Sequence, residues 1–213
     1  TRQRYYPERA PGELFPLLTI KQVRASGPAQ PRTLAIEIGR EAATIIMLAG
    51  IALAVARSAS QWSAAFVIAF GVWDITFYIF LKVLLDWPAS LLTWDVLFLI
   101  PLPWVGPVLA PVLVSAAMIG AGIWQLRKDA DGEPITIGSA HWAGIIIGAA
   151  IIVAAFMLDW RNIMAGGMPH PFNWTVFGAG MTVGAGSYLS AIRQSRWTNP
   201  RAIEPVCAAE PGD

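Results

Sequence analysis

The chain has 213 residues, of which 55% are hydrophobic and only 14% are charged, and its mean hydropathy is +0.53. Soluble domains carry roughly 25% charged residues, so the composition indicates a membrane protein and excludes an ordinary soluble domain. The formal net charge of +1 comes with no basic patch suited to nucleic acid. Cys207 is the only cysteine, which excludes an intrachain disulfide and a metal site built from cysteines of one chain.

The first 33 residues contain five prolines and scattered arginines, and the first 16 are basic and without an apolar run. Such a segment buries too little apolar surface to fold alone, so we predict an extended basic arm over residues 1–33. Residues 34–193 are predicted to form a transmembrane helical domain, and residues 194–213 a cytoplasmic tail. The arginines of the arm are expected to set its orientation and to contact anionic lipid.

The first apolar segment runs from Ala42 to Ala56 and is flanked by Arg40 and Arg57. It is shorter than the roughly 20 residues that span a bilayer, but the flanking arginines reach the two surfaces along their aliphatic stems. We predict a first crossing here. Glu37 and Glu41 lie one turn apart at its beginning and are interpreted as a solvated helix start, where acids favour the positive end of the helix dipole.

The next two segments differ in length. A second crossing is predicted over about residues 62–86, with Asp74 near mid-depth. The third segment, from Ala89 to about Pro103, would extend only about 21 Å as a helix, against a hydrocarbon core of about 30 Å. It is therefore either a short crossing or a re-entrant helix.

Three further apolar helices are predicted after the prolines and glycines that follow. The first of them ends at about residue 126, the second runs over about residues 139–159, and the third over about residues 172–192. The fold class is therefore all-α: a polytopic transmembrane helix bundle with six crossings, of which the third is short or re-entrant.

Loop charges decide between six and five crossings. Six crossings place the arm, Lys82, the Arg127–Lys128 loop and the basic tail on one side, as the positive-inside rule favours. Both termini would then be cytoplasmic. Five crossings would move the Arg127–Lys128 loop and the tail to the outer side. The excess of arginine over lysine suggests a bacterial inner membrane.

Two glycine pairs predict close helix packing. Gly144 and Gly148 lie four residues apart in the fifth predicted crossing, and Gly180 and Gly184 lie four apart in the sixth. Small residues at this spacing let helix backbones approach closely. We expect these helices to pack on each other or on a partner's helix.

Asp74 and Asp95 are acidic groups in segments that are otherwise hydrocarbon. An ionised carboxylate costs several kcal/mol at the bilayer centre, so each acid is neutral, paired or turned towards a polar cavity. Tyr78 and Lys82 follow Asp74 at helical spacing and share its face. These four residues predict either a proton, ion or polar-ligand site, or hydrogen bonds that fix helix packing.

The two histidines lie at opposite ends of the fifth crossing, His141 on the inner side and His170 in the outer loop. About 30 Å separates them, so they do not share one haem or metal ion. Each is a candidate for a single axial ligand to haem or chlorophyll, or for a hydrogen bond to a quinone. The competing interpretation is a polar residue at the membrane boundary, and neither a cofactor nor a metal is predicted.

No hydrolase, P-loop or dinucleotide-binding motif is present, so we expect no intrinsic catalytic activity. The leading hypothesis is an accessory subunit that packs beside other integral membrane subunits and lipids, in an electron-transfer or photosynthetic complex. The alternative is a small transporter or proton-conducting protein that uses Asp74 and Asp95, with Lys82 as a counter-charge.

Overall fold

The computed structural model describes residues 29–100, 102–165 and 169–198. Within them the chain forms, in order, α1 (Ala29–Val55), α2 (Ala59–Leu85), β1 (Trp94–Phe98), β2 (Trp104–Pro107), α3 (Leu109–Ala130), α4 (Ser139–Met157), α5 (Trp160–Met164) and α6 (Trp174–Thr198). The predicted arm up to residue 28 and the tail beyond residue 198, with Cys207, lie outside the described residues. Helix α1 begins at Ala29, so the last residues predicted for the arm are helical.

Four of these helices are long and apolar enough to cross a membrane, with spans at Ile38–Val55, Ala59–Leu85, Leu109–Ala130 and Ser139–Ile163. These spans support a multi-pass membrane protein. Helix α6 has 25 residues, but it is not among the four spans because of its many Gly, Ser and Thr residues. Six crossings are not confirmed, since the described residues contain five long helices.

The boundaries of α2 follow from its end residues. The hydroxyl of Ser58 accepts a hydrogen bond from the backbone N–H of Gln61 and so caps the helix start. At the other end, Asp86 adopts a left-handed conformation with φ of 51°. Its N–H donates to the carbonyl of Lys82, and the N–H of Trp87 donates to the carbonyl of Leu81. This turn releases the chain from the helix and directs it towards the β-hairpin.

Consecutive long helices run in opposite directions. The indole N–H of Trp62, near the start of α2, donates to the carbonyl of Ala49, near the end of α1. Gln125, near the end of α3, donates to the carbonyl of Ser60. We call this the Arg127 end of the bundle, and the opposite end, where α2 stops and α3 begins, the hairpin end.

Helix α6 returns to the Arg127 end. The Tyr188 hydroxyl donates to the carbonyl of Ala121, and the hydroxyl of Ser195 contacts the backbone of Thr136 in the loop between α3 and α4. Helix α1 therefore begins at the hairpin end and α6 finishes at the Arg127 end.

The prediction of a helix from Ala89 to Pro103 is wrong, because this segment forms β1 and the turn after it. Strands β1 and β2 pair antiparallel, with Trp94 opposite Pro107 and Phe98 opposite Trp104. Pro101 and Pro103 disfavour helix where the chain reverses, and β-branched and aromatic residues in both strands suit the hairpin. The hairpin leaves from the hairpin end and returns to it, so the segment is re-entrant but not helical.

The two predicted glycine motifs meet in the α4–α6 interface. A Cβ atom placed on Gly148 would lie 2.5 Å from the amide nitrogen of Gly184, and one on Gly180 would lie 2.9 Å from the carbonyl oxygen of Gly148. Gly144 packs in the same way against the side chain of Ser187. Backbone contact of this kind supplies the dispersion energy that holds helices together in lipid.

A second glycine contact, which the predictions did not include, joins α2 to α3. A Cβ atom on Gly71 would lie 2.7 Å from the carbonyl oxygen of Ser115. One on Gly122 would lie 2.7 Å from the carbonyl oxygen of Ala64. This close approach brings the polar face of α2 against α3.

Replacing Gly148 with alanine should destabilise the bundle by about 1–3 kcal/mol, because the new methyl group meets backbone atoms that do not rotate away. Thermal unfolding in detergent measures the loss. Gly178→Ala is the matched control, since nothing lies within 4 Å of a Cβ at that position of α6. Equal melting temperatures for the two variants would contradict the close α4–α6 contact.

Candidate intramembrane carboxyl site

Asp74 lies on α2 near the middle of its span and is buried, with only 7% of its surface exposed. The hydroxyl of Ser115, which is 1% exposed on α3, donates a hydrogen bond of 2.8 Å to Asp74 Oδ2. The Gly71 contact allows this bond, because it brings the two helices close together one turn away. The carboxyl is thereby shielded from lipid within the α2–α3 interface.

Asp95 reaches the same region from the hairpin. It is 5% exposed, and its Oδ2 accepts a hydrogen bond of 3.0 Å from the hydroxyl of Tyr78. Tyr78 follows Asp74 by four residues, so one helical face presents both side chains. The structure thus brings together three of the four predicted polar residues, Asp74, Tyr78 and Asp95, and adds Ser115.

The hairpin extends along α2 to about the middle of that helix. The ring of Phe98 stacks on Phe70 with 6.2 Å between centroids and lies 6.3 Å from the Trp73 ring. Trp104 packs on the other side of Phe98 and stacks on Phe156 of α4. These rings cover the carboxyl site with apolar surface on the side away from the hairpin end.

Glu41 holds the far end of the hairpin. Its Oε2 accepts a hydrogen bond of 3.0 Å from the backbone N–H of Leu99, the first residue after β1. The prediction of a solvated helix start is wrong for Glu41, which is 9% exposed and lies within the membrane span of α1. The side chain of Glu37 is outside the described part of the structure.

Lys82 does not join the site. Its Nζ forms an ion pair of 2.7 Å with Asp86, at the exposed end of α2. The hydrogen bond from Lys82 and its positive charge lower the pKa of the Asp86 carboxyl. Lys82 is therefore engaged at the membrane surface and is not the counter-charge of Asp74 or Asp95.

A second polar group ties α2 to α3 at the Arg127 end. Gln125 is 5% exposed and donates to the hydroxyl and the carbonyl of Ser60, while Gln61 donates to Asp129. Between this group and Asp74 the interface is apolar and tightly packed around Gly122, which would meet Ile68 at 2.6 Å if it carried a Cβ. An apolar part of the α2–α3 interface therefore lies between the carboxyl site and the Arg127 end.

The two histidines lie at different ends, as the sequence predicts. His141 is in the first turn of α4, and His170 follows α5 at the hairpin end. His170 Nδ1 lies 2.7 Å from Asp159 Oδ1, and Asn162 donates to the other oxygen of Asp159. These hydrogen bonds stabilise the segment that connects α4 to α6.

The cofactor predictions stay untested. No group of three or more His, Cys, Asp and Glu side chains suited to a metal ion occurs in residues 29–100, 102–165 and 169–198. Haem, chlorophyll and quinone remain open at His141 and His170.

Sequence reasoning missed Ser115 and Glu41 for different reasons. Serine is common in apolar helices, and nothing in the spacing of Ser115 links it to Asp74, 41 residues earlier. Glu41 carried a signal, because a glutamate only one residue before an apolar run lies at the edge of the membrane or within it. Its partner became visible only with the hairpin.

Chemically, the site consists of two buried pairs of hydrogen-bonded oxygens, Ser115 with Asp74 and Tyr78 with Asp95. Hydroxyl groups both donate and accept hydrogen bonds, and a carboxyl exchanges a proton between its two states. Two carboxylates that share a region of low polarity favour a state in which one is protonated. A carboxyl at Asp74 or Asp95 is therefore suited to hold a proton.

Comparison with known proteins gives no match: no family model, no curated protein and no solved structure is significantly similar to this chain. The function is therefore inferred from the residues and their contacts.

Replacing Ser115 with alanine should destabilise the protein by about 1–3 kcal/mol, because a buried carboxyl loses its hydroxyl donor. Thermal unfolding in detergent, carried out with the double variant Ser115→Ala/Asp74→Asn, measures the coupling between the two side chains. Thr182→Ala is the control, since its exposed hydroxyl bonds only to the carbonyl of Gly178 in its own helix. Additive losses in the double variant would show that the Ser115–Asp74 bond contributes nothing.

Proposed function

We propose that the protein transfers protons within the membrane through the carboxyl site of Asp74, Tyr78 and Asp95. The observation that carries this proposal is the pair of buried carboxyls, Asp74 on α2 and Asp95 on the hairpin, with the hydroxyl of Tyr78, one helical turn after Asp74, bonded to Asp95. Ionisable residues buried in membrane spans are costly and mark proton or ion pathways in many membrane proteins.

The arrangement of the site favours proton transfer over a role in helix packing alone. A hydrogen bond between neutral side chains would hold α2 and α3 together at a lower cost than a carboxyl does. The two acids are also carried by different elements, Asp74 by α2 and Asp95 by the hairpin.

In liposomes that contain the purified protein and a pH-sensitive dye, Asp74→Asn and Asp95→Asn should each reduce proton flux at least tenfold. The amide keeps the size of the side chain but no longer exchanges a proton. Lys82→Gln should keep the flux of the unaltered protein, because Lys82 is paired with Asp86 outside the site.

Tyr188→Phe should likewise keep the flux of the unaltered protein, since Tyr188 bonds to the Ala121 carbonyl away from the site. Melting temperatures measured on the same samples separate lost transfer from lost folding. Unchanged flux in well-folded Asp74→Asn and Asp95→Asn proteins would refute the proposal.

A second candidate function is that of an accessory subunit in a larger membrane complex. Helix α6 favours it, because its exposed face carries small and hydroxyl residues, among them Thr175, Ala179, Thr182, Gly186 and Ser190. Lipid-facing surfaces are usually larger and more apolar, as on α2, whereas small residues are typical of helix–helix interfaces. The partner would be another integral membrane subunit, and lipid would cover the remaining helices.

We further propose a bacterial inner membrane as the location, with the arm and the tail on opposite sides. Five long helices that alternate in direction would place the arm and the tail on opposite faces of the membrane. The sequence-based prediction from loop charge instead places both termini in the cytoplasm. Basic residues occur at both ends of the bundle, with Lys82 and Arg161 at the hairpin end and Arg57 and Arg127 at the other. Loop charge therefore favours neither orientation strongly.

An impermeant maleimide distinguishes the two topologies in intact cells. One sample keeps Cys207 in the tail, and the other carries Ser26→Cys in the arm together with Cys207→Ser. If the arm and the tail lie on opposite faces of the membrane, one sample is labelled in intact cells and the other only after the cells are opened. Protection of both in intact cells would instead support six crossings.

A further inference from the structure

The tip of the hairpin presents backbone groups at a depth where water is scarce. Non-helical backbone is tolerated inside a membrane only where protein or a polar cavity satisfies its hydrogen bonds. Pairing between β1 and β2 ends at Phe98 and Trp104, so the N–H of Leu99 lies beyond the last strand pair. An acceptor from another element is needed there.

Besides its ring contacts, three sets of hydrogen bonds hold the hairpin at different points along its length. At its base, the N–H groups of Val108 and Leu109 donate to the carbonyls of Thr93 and Leu91. In the middle, Asp95 accepts from Tyr78. At the tip, Leu99 donates to Glu41 of α1.

The tip contact differs from the others in its position in the fold. Helix α1 packs chiefly against α2, and the apolar side chains of its outer face are exposed, Ile46 and Leu53 by about 70% of their surface (72% and 69%). A buried carboxyl on this peripheral helix therefore reaches across to the hairpin. Any shift of α1 along α2 changes the Glu41–Leu99 distance.

We propose that Glu41 is a positioning residue that holds the hairpin tip, and so keeps Asp95 against Tyr78. Asp95 and Leu99 belong to one short segment of extended chain, which transmits a displacement of the tip to the carboxyl site. The consequence for transfer rests on the proposed function, but the consequence for the hairpin does not.

The proposed role of Glu41 requires an oxygen that accepts the hydrogen bond from Leu99, and it does not require the negative charge of the carboxylate. Glutamine has an amide oxygen at the same distance from the backbone, so Glu41→Gln should preserve the bond to Leu99. Leucine has a similar volume and no acceptor, so Glu41→Leu should lose the bond. Thr44→Val is the matched control one turn away, since the Thr44 hydroxyl bonds only to the Arg40 carbonyl of its own helix.

Amide hydrogen exchange, measured by mass spectrometry on the full chain in lipid nanodiscs, tests the hairpin directly. Peptides that contain Leu99 should exchange at least about tenfold faster in Glu41→Leu than in the unaltered protein. Glu41→Gln and Thr44→Val should match the unaltered protein. Unchanged exchange in Glu41→Leu, or acceleration in Glu41→Gln as large as in Glu41→Leu, would overturn the proposal.

Proton flux on the same proteins gives the second reading. Glu41→Leu should shift the pH at which flux is half-maximal, because the bond between Tyr78 and Asp95 is loosened, and Glu41→Gln should restore it. An identical pH profile in Glu41→Leu, despite faster exchange at Leu99, would overturn the link to the carboxyl site. If the unaltered protein carries no flux, the proposed function fails, while the exchange measurement still decides whether Glu41 holds the hairpin.

Discussion

The need to satisfy backbone hydrogen bonds inside the membrane is the constraint on which this structure depends. A helix satisfies its own N–H and C=O groups, whereas a hairpin leaves groups at its tip and edges. The hairpin of β1 and β2 is therefore placed between α1, α2 and α4, with Glu41 accepting at its tip. The same hairpin brings Asp95 against Tyr78, and Asp74 lies near the middle of the α2 span.

Close helix packing is the second requirement of the site. In lipid, apolar surface gains little from association, so helices approach through small residues. Gly71 and Gly122 bring α2 and α3 together, and Gly148 and Gly184 do the same for α4 and α6. The first pair lets Ser115 reach Asp74, and the second supports Phe156, which packs against the hairpin.

The sequence predicts the helical membrane class, the burial of Asp74 and Asp95, and the meeting of the glycine motifs, since each depends on local pattern. It does not predict the hairpin, because a run of about fifteen apolar residues suits a strand pair as well as a helix. That error propagates: a sixth crossing reverses the direction of every later helix and the placement of the tail. The role of Glu41 depends on contact with Leu99, 58 residues later, which no local pattern reveals.

The central claim is that the chain from Trp94 to Pro107 turns back as a hairpin beside the middle of α2. Cysteine cross-linking in a Cys207→Ser background tests it most directly, with one pair at Trp94 and Pro107 and another at Phe98 and Phe70. Opposed residues of an antiparallel pair lie within disulfide reach, so the first pair should form a disulfide, and a short cross-linker should join the second. In a crossing helix, residues 94 and 107 would be about 20 Å apart. Failure of the first pair to cross-link, while the second does, would contradict the hairpin and favour a sixth crossing.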